Sequence, residues 1–96
     1  MTQQAIVIDK KDNVATALQD LDRGSDIHVS IEGHTVHVVL TQHIPFGHKF
    51  SLRDIGQGEA VTKYGETIGV ATQDIRRGEH VHVHNVESRK GRGDKK

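Results

Sequence analysis

The sequence predicts a compact, mainly β domain with one or two short helical turns. Three observations lead there. The chain has 96 residues, room for a single domain. Its apolar residues alternate with polar ones over short runs, the spacing of half-buried strands. A glycine-punctuated phrase, D-[IL]-x-x-G-x-x-[IV], occurs three times, as Asp20–Ile27 (DLDRGSDI), Asp54–Val61 (DIGQGEAV) and Asp74–Val81 (DIRRGEHV). In each copy an aliphatic residue anchors a turn, glycine supplies the positive φ that reverses the chain, and an alternating strand follows. The copies have no fixed period, which excludes a solenoid.

The elements follow in order. Ala5–Asp9 (AIVID) reads as a strand, and Val14–Leu21 as a short helix, because Val14, Leu18 and Leu21 share a helical face. Asp26–Ile31 (DIHVSI) and His34–Leu40 (HTVHVVL) read as a hairpin about Glu32-Gly33. That register sets Ile27 against Val38, Val29 against Val36 and Ile31 against His34 on one face, and His28 against His37 and Ser30 against Thr35 on the other. Phe50–Ile55 is expected to hold a second helical turn. Strands are expected at Glu59–Lys63 (EAVTK), near Thr67–Ala71, and at Glu79–His84 (EHVHVH), with Val81 and Val83 turned inward. The domain is placed at residues 1–87. Residues 88–96 (SRKGRGDKK) hold no apolar side chain and are expected to be a disordered tail, in which Arg92-Gly93-Asp94 is an accidental match to a short motif.

Composition narrows the function. Hydrophobic residues make up 33%, with two Phe, one Tyr and no Trp, so the core is aliphatic and thin. A domain this small hides roughly 60–70% of its unfolded surface, so a partner chain, another copy included, would help cover it. Thirteen basic and thirteen acidic residues cancel, which removes the field that nucleic acid or an anionic membrane requires. There is no cysteine, hence no disulfide framework or thiolate chemistry. The start MTQQAIVIDKKD is not a signal peptide, and no apolar run approaches the ~18 residues of a membrane span, so a cytoplasmic protein is expected. The eight histidines are the unusual feature, since imidazole titrates close to neutrality.

Three constellations are candidates for chemistry. In Gly78–Asn85 (GEHVHVHN), His80, His82 and His84 recur at every second position, which puts them on one strand face as metal ligands or simply as that face's polar side chains. In Ile44–Phe50 (IPFGHKF), Pro45 and Gly47 shape a loop from which His48 and Lys49 project, a carboxylate grip or a surface turn with a basic tip. Lys63-Tyr64-Gly65 offers one cation and one hydroxyl, or a turn braced by the only tyrosine. No nucleophile arrangement, phosphate-binding glycine loop or carboxylate pair accompanies them.

Taken together and in order, Phe46-Gly47-His48-Lys49, Val61–Gly65 (VTKYG), Ile68-Gly69 and Gly78–Asn85 resemble the SAF-type domain of the altronate and galactarate dehydratases, a family related to the small subunit of sulfolactate sulfo-lyase. The resemblance runs from about Ala5 to Val86. It implies a β-clip fold paired with or fused to a much larger catalytic part, and a lyase that needs divalent iron or manganese and acts on sugar acids. For this chain it implies a small subunit of an altronate-type hydro-lyase, inactive without its large subunit. His48, Lys49, Lys63 and Tyr64 are then the candidate substrate-binding residues, and His80, His82 and His84 the candidate metal ligands, with substrate binding or docking of the large subunit as their alternative roles; the resemblance assigns nothing to His43. The alternatives are a sulfo-lyase small subunit and a non-catalytic module that binds a sugar acid or docks a protein.

Overall fold

The computed structural model describes residues 3–88, which form short antiparallel strands and no helix. The strands are β1 (Ala5–Ile6), β2 (Val14–Ala17), β3 (Asp26–Ile31), β4 (His34–Val39), β5 (Lys49–Ser51), β6 (Ala60–Lys63), β7 (Glu66–Ala71), β8 (His80–Val81) and β9 (Val86–Ser88). They build three small sheets, ordered β1-β2-β5-β8, β3-β4 and β6-β7-β9.

The β3–β4 hairpin has the register that its alternation demands, with Ile27 opposite Val38, Val29 opposite Val36 and His28 opposite His37. A slip of one residue would turn Ile27, Val29 and Val38 out of the core, where all three are buried. Glu32 and Gly33 both take positive φ, 48° and 84°, the turn whose twist suits a two-residue hairpin loop.

The helical expectations fail. Val14–Ala17 is a central strand, pairing with β1 on one side and β5 on the other. Val14, Ala15 and Ala17 are all buried while Leu18 is exposed, so no helical face gathers Val14, Leu18 and Leu21. Sheet pairing on both edges, with β-branched Val14 and Thr16 in the run, outweighs that spacing. Phe50–Ile55 likewise divides into the end of β5 and a bend, with no helical turn. Ser88, expected to begin the tail, ends β9; the rest of that tail lies outside the described residues.

The turn phrase has a fourth copy, His43–Phe50 (HIPFGHKF), with histidine in the place of the leading aspartate. The four copies pair off. Leu21 and Ile44 exchange two backbone hydrogen bonds of 2.9 Å, and Ile55 and Ile75 exchange two of 2.8 Å. The glycines Gly24, Gly47, Gly58 and Gly78 all lie between φ 84° and 90°, each donating its N–H to the carbonyl just before the partner copy: Leu40, Ala17, Ala71 and Ser51. The leading aspartates lock the pairs crosswise. Asp20 Oδ1 accepts from Phe46 N–H at 2.8 Å, Asp54 Oδ1 from Arg77 N–H at 2.9 Å and Asp74 Oδ1 from Gln57 N–H at 2.9 Å.

The apolar side chains collect into two clusters, one around Phe50, Ile27, Leu40 and Ile44, the other around Val61, Ile55, Ile75 and Val81. Burial of each such side chain contributes about 1.5–3 kcal/mol. The ladder between β5 and β8, in which Phe50 faces His80 and Lys49 faces Val81, joins the two clusters. The histidines stand at that seam.

Candidate functional site

His48 follows Gly47 at the entry to β5, and His80 opens β8. Extending the ladder one step beyond Lys49 and Val81 brings His48 level with His82, and their rings stack with centroids 4.3 Å apart. His80 stacks on both, at 5.1 Å from His48 and 5.4 Å from His82. His48 Nδ1 and His80 Nε2 lie 2.9 Å apart, one donating and the other accepting. One ring nitrogen from each of His48, His80 and His82 lies within 4.8 Å of the other two, and all three side chains are half-buried.

The strand ends at Val81, two residues before it was expected to carry Val83 inward. Asn85, fully buried, is the cause. Its side-chain oxygen accepts from His82 N–H at 2.9 Å, and its amide nitrogen donates to the His80 carbonyl at 2.9 Å. The N–H groups of Asn85 and Val86 both donate to the His82 carbonyl at 3.1 Å, closing a turn that releases the chain into β9. Val83 therefore stands at the turn tip, 81% exposed, instead of in the core. His82 and His84 lie in this turn and not on a strand with His80. His84 keeps a tilted ring contact with His80 at 5.4 Å but lies outside the cluster of three.

The electrostatics favour the neutral forms of His80 and His82. Burial, and then the neighbouring His48, His84, His82 and His43, push His80 from 6.5 down to about 4. Burial first, then His48, Lys49 and His84, also lowers His82. Lys49 is lowered by burial and by Lys63. Neutral imidazoles offer lone pairs, the form required for metal ligation or for accepting a proton. Three nitrogens so close fit a first-row divalent ion that leaves further positions for water or substrate.

The remaining candidates flank this cluster. Lys49 lines a groove with Ile68, Val81, His82, Val83 and Val86. Lys63 ends β6 with its ammonium 4.7 Å from the centre of the Tyr64 ring. Tyr64 is half-exposed at φ 57°, in the tight turn between β6 and β7. That hairpin is held by the loop before β2: Asp12 Oδ1 accepts from Gly65 N–H at 2.8 Å, Asn13 Oδ1 accepts from Thr62 N–H at 2.8 Å, and the Asn13 amide donates to Ala60 O at 2.9 Å. The structure thus regroups the candidates, taking His48 from the expected carboxylate grip into the cluster with His80 and His82. Two residues that shape the cluster were not singled out: Asn85, and Gln42, whose side-chain oxygen accepts from His80 N–H at 2.8 Å. The asparagine that ends the histidine run is visible in the sequence, but its burial and its backward bonds to His82 and His80 are not.

Comparison with known proteins identifies the domain. Residues 3–89 match the model of the altronate/galactarate dehydratase SAF domain. The chain is 48% identical over 85 residues to altronate dehydratase of Escherichia coli K12, an alignment covering 88% of this chain and 16% of that protein. Altronate dehydratase of Bacillus subtilis is 41% identical over 83 residues, again 86% of this chain and 16% of the relative. The (2R)-sulfolactate sulfo-lyase subunit alpha of Chromohalobacter salexigens is 44% identical over 59 residues, covering 62% of this chain and 63% of that subunit. The chain therefore spans about a sixth of the altronate dehydratases and is much closer in size to the separate sulfo-lyase subunit.

Proposed function

The chain belongs to the altronate/galactarate dehydratase SAF domain family, and from that membership we propose that it is the small component of a two-part sugar-acid lyase. The reaction is an altronate-type dehydration: the proton α to the carboxylate is removed, the β-hydroxyl departs, and a 2-keto-3-deoxy acid results. The convergence of His48, His80 and His82 beside Lys49 carries the reading. A large catalytic polypeptide supplies the rest of the site, because the groove beside the imidazoles is mainly apolar with Lys49 at its edge, and neither its lining nor the cluster of three histidines includes a carboxylate.

Each residue has a task in this scheme. Lys49, with Lys63 near it, attracts the substrate carboxylate, and the aromatic ring of Tyr64 holds the Lys63 ammonium in place. His48, His80 and His82 hold a divalent ion, Fe2+ or Mn2+. When bound, that ion supplies charge stabilisation to the carboxylate side of the substrate and polarises the departing oxygen. His84, next to His80, is placed to donate or accept a proton at the edge of the cluster.

The chain's similarity to a sulfolactate sulfo-lyase subunit alpha supports a second reading, in which the substrate is a sulfonated hydroxy acid and sulfite leaves instead of water. One experiment separates the two. The full chain is mixed with its cognate large polypeptide and given either altronate or sulfolactate, with keto-acid and sulfite release both followed. Keto-acid formation from altronate, only when both components are present, is the expected result. Sulfite release would transfer the chain to the second reading, and substantial turnover by the small chain alone would contradict both.

A further inference from the structure

The β3–β4 hairpin carries a second cluster of donors. On the wet side of the β3–β4 hairpin, Asp26 and His28 alternate along β3, and His37 stands directly opposite His28 on β4. The two rings lie 4.0 Å apart, centroid to centroid. Asp26 Oδ2 is 3.7 Å from His28 Nε2 and 3.7 Å from His37 Nδ1. One donor atom from each of the three residues lies within 4.8 Å of the other two.

We propose that Asp26, His28 and His37 form a divalent-metal site on the β3–β4 hairpin, separate from the His48 cluster, for a first-row transition ion such as Zn2+. A carboxylate oxygen with a nitrogen on either side is a two-histidine, one-carboxylate set. Donors bound at ~2.0–2.1 Å in a tetrahedron stand about 3.3–3.5 Å apart, so a shift of a few tenths of an ångström in flexible χ angles closes both 3.7 Å separations. The two imidazoles select zinc, cobalt, nickel or copper over calcium and magnesium, which prefer all-oxygen shells. All three side chains are more than half exposed, so the remaining coordination positions open to water.

The backbone under these residues is pre-set. Ile27, Val29 and Val38 alternate with them and are buried, which fixes the direction of Asp26, His28 and His37. The positive-φ turn at Glu32-Gly33 fixes the register. Arg77 donates a guanidinium N–H to the His37 carbonyl, tying β4 to the turn before β8. An ion here would cross-link the two strands of a sheet that has no third member among the described residues.

The test uses the full chain carrying His80→Gln and His82→Gln, which silences the other cluster, and Zn2+ as the probe. Calorimetry gives affinity and stoichiometry, while NMR follows each imidazole. One Zn2+ per chain, with the His28 and His37 ring resonances moving together, is expected. Adding His28→Gln and His37→Gln should abolish that event, and Asp26→Asn, which alters no ring, should weaken it by about tenfold or more. The proposal fails if the His28 and His37 resonances stay fixed up to about 1 mM Zn2+. It fails equally if a chain without those two rings, with an unchanged amide spectrum, binds Zn2+ as tightly as before.

Discussion

Nδ1 of His48 lies 2.9 Å from Nε2 of His80, a contact between residues 32 positions apart in the chain. One of the two nitrogens must be unprotonated for the contact to be a hydrogen bond. The contact therefore cannot form with both rings cationic, and burial is the first cause that displaces His80 from 6.5 to about 4.

That displacement predicts a pH dependence in the metal-free chain. An unfolded chain protonates His80 near pH 6.5, the folded one only near 4. Between those values the unfolded state binds more protons, so this contribution to stability is complete above about 6.5 and lost as pH falls toward about 4. NMR of the imidazole should place the His80 midpoint near 4, and His48→Gln should raise it by removing the ring that, after burial, does most to lower it. A midpoint near 6.5 in the unsubstituted chain would contradict the packing of the cluster.

Val81 and Val83 should respond very differently to the same change. Val81 is fully buried in the second core cluster, so Val81→Asp strands a charge in apolar surroundings and should cost about 3–5 kcal/mol or prevent folding. Val83 is 81% exposed at the turn tip, and Val83→Asp should stay within about 0.5 kcal/mol. Denaturant titration of the pair measures the difference. Equal losses would mean that the strand continues to His84 after all.

Asn85 should matter to the site through the backbone. Asn85→Ala leaves the His82 N–H and the His80 carbonyl without their side-chain partner, a loss of about 1–3 kcal/mol. Metal affinity of the His48 cluster should fall with it, because His82 loses its placement, whereas Asn85→Asp keeps an acceptor for His82 N–H and should retain more of both. A variant that loses stability but binds metal as the parent does would show that Asn85 does not position His82.

The crossed aspartates give a test of the paired turns. Asp54→Ala and Asp74→Ala each remove a carboxylate-to-backbone hydrogen bond and should each cost about 1 kcal/mol. His43 holds the equivalent place in the one copy without an aspartate, where its Nδ1 lies 3.9 Å from Asp22 Oδ1. His43→Asn supplies an acceptor there and should raise the melting temperature. A fall on that substitution, with Asp54→Ala neutral, would mean the four turns are alike in outline only.

The hairpin register was legible residue by residue, because one slip would have exposed Ile27, Val29 and Val38. The turn phrase was legible wherever aspartate leads it. Its copy at His43–Phe50 does not match that pattern because histidine and phenylalanine stand at its two ends, and that copy delivers His48 to the site. The false helix came from Val14, Leu18 and Leu21, whose spacing imitates a helical face but whose neighbours Ala15 and Ala17 are also buried. The alternation of GEHVHVHN pointed past the end of the strand, since nothing in a period of two shows that Asn85 will take the backbone bonds of His80 and His82. Convergence of His48 on those rings depends on the pairing of β5 with β8, a long-range contact that local pattern does not encode.

The most direct measurement is the metal content and turnover of the complex between the full chain and its large polypeptide, with and without His80→Gln and His82→Gln. Calorimetric affinity of the two chains is taken alongside, so that failed docking is distinguished from a damaged site. With docking preserved, loss of the bound divalent ion and a fall in turnover of at least about a hundredfold are expected, as for removal of metal ligands. Parental metal content and turnover in the double variant would contradict the assignment and leave the three histidines as the polar face of a turn and a short strand.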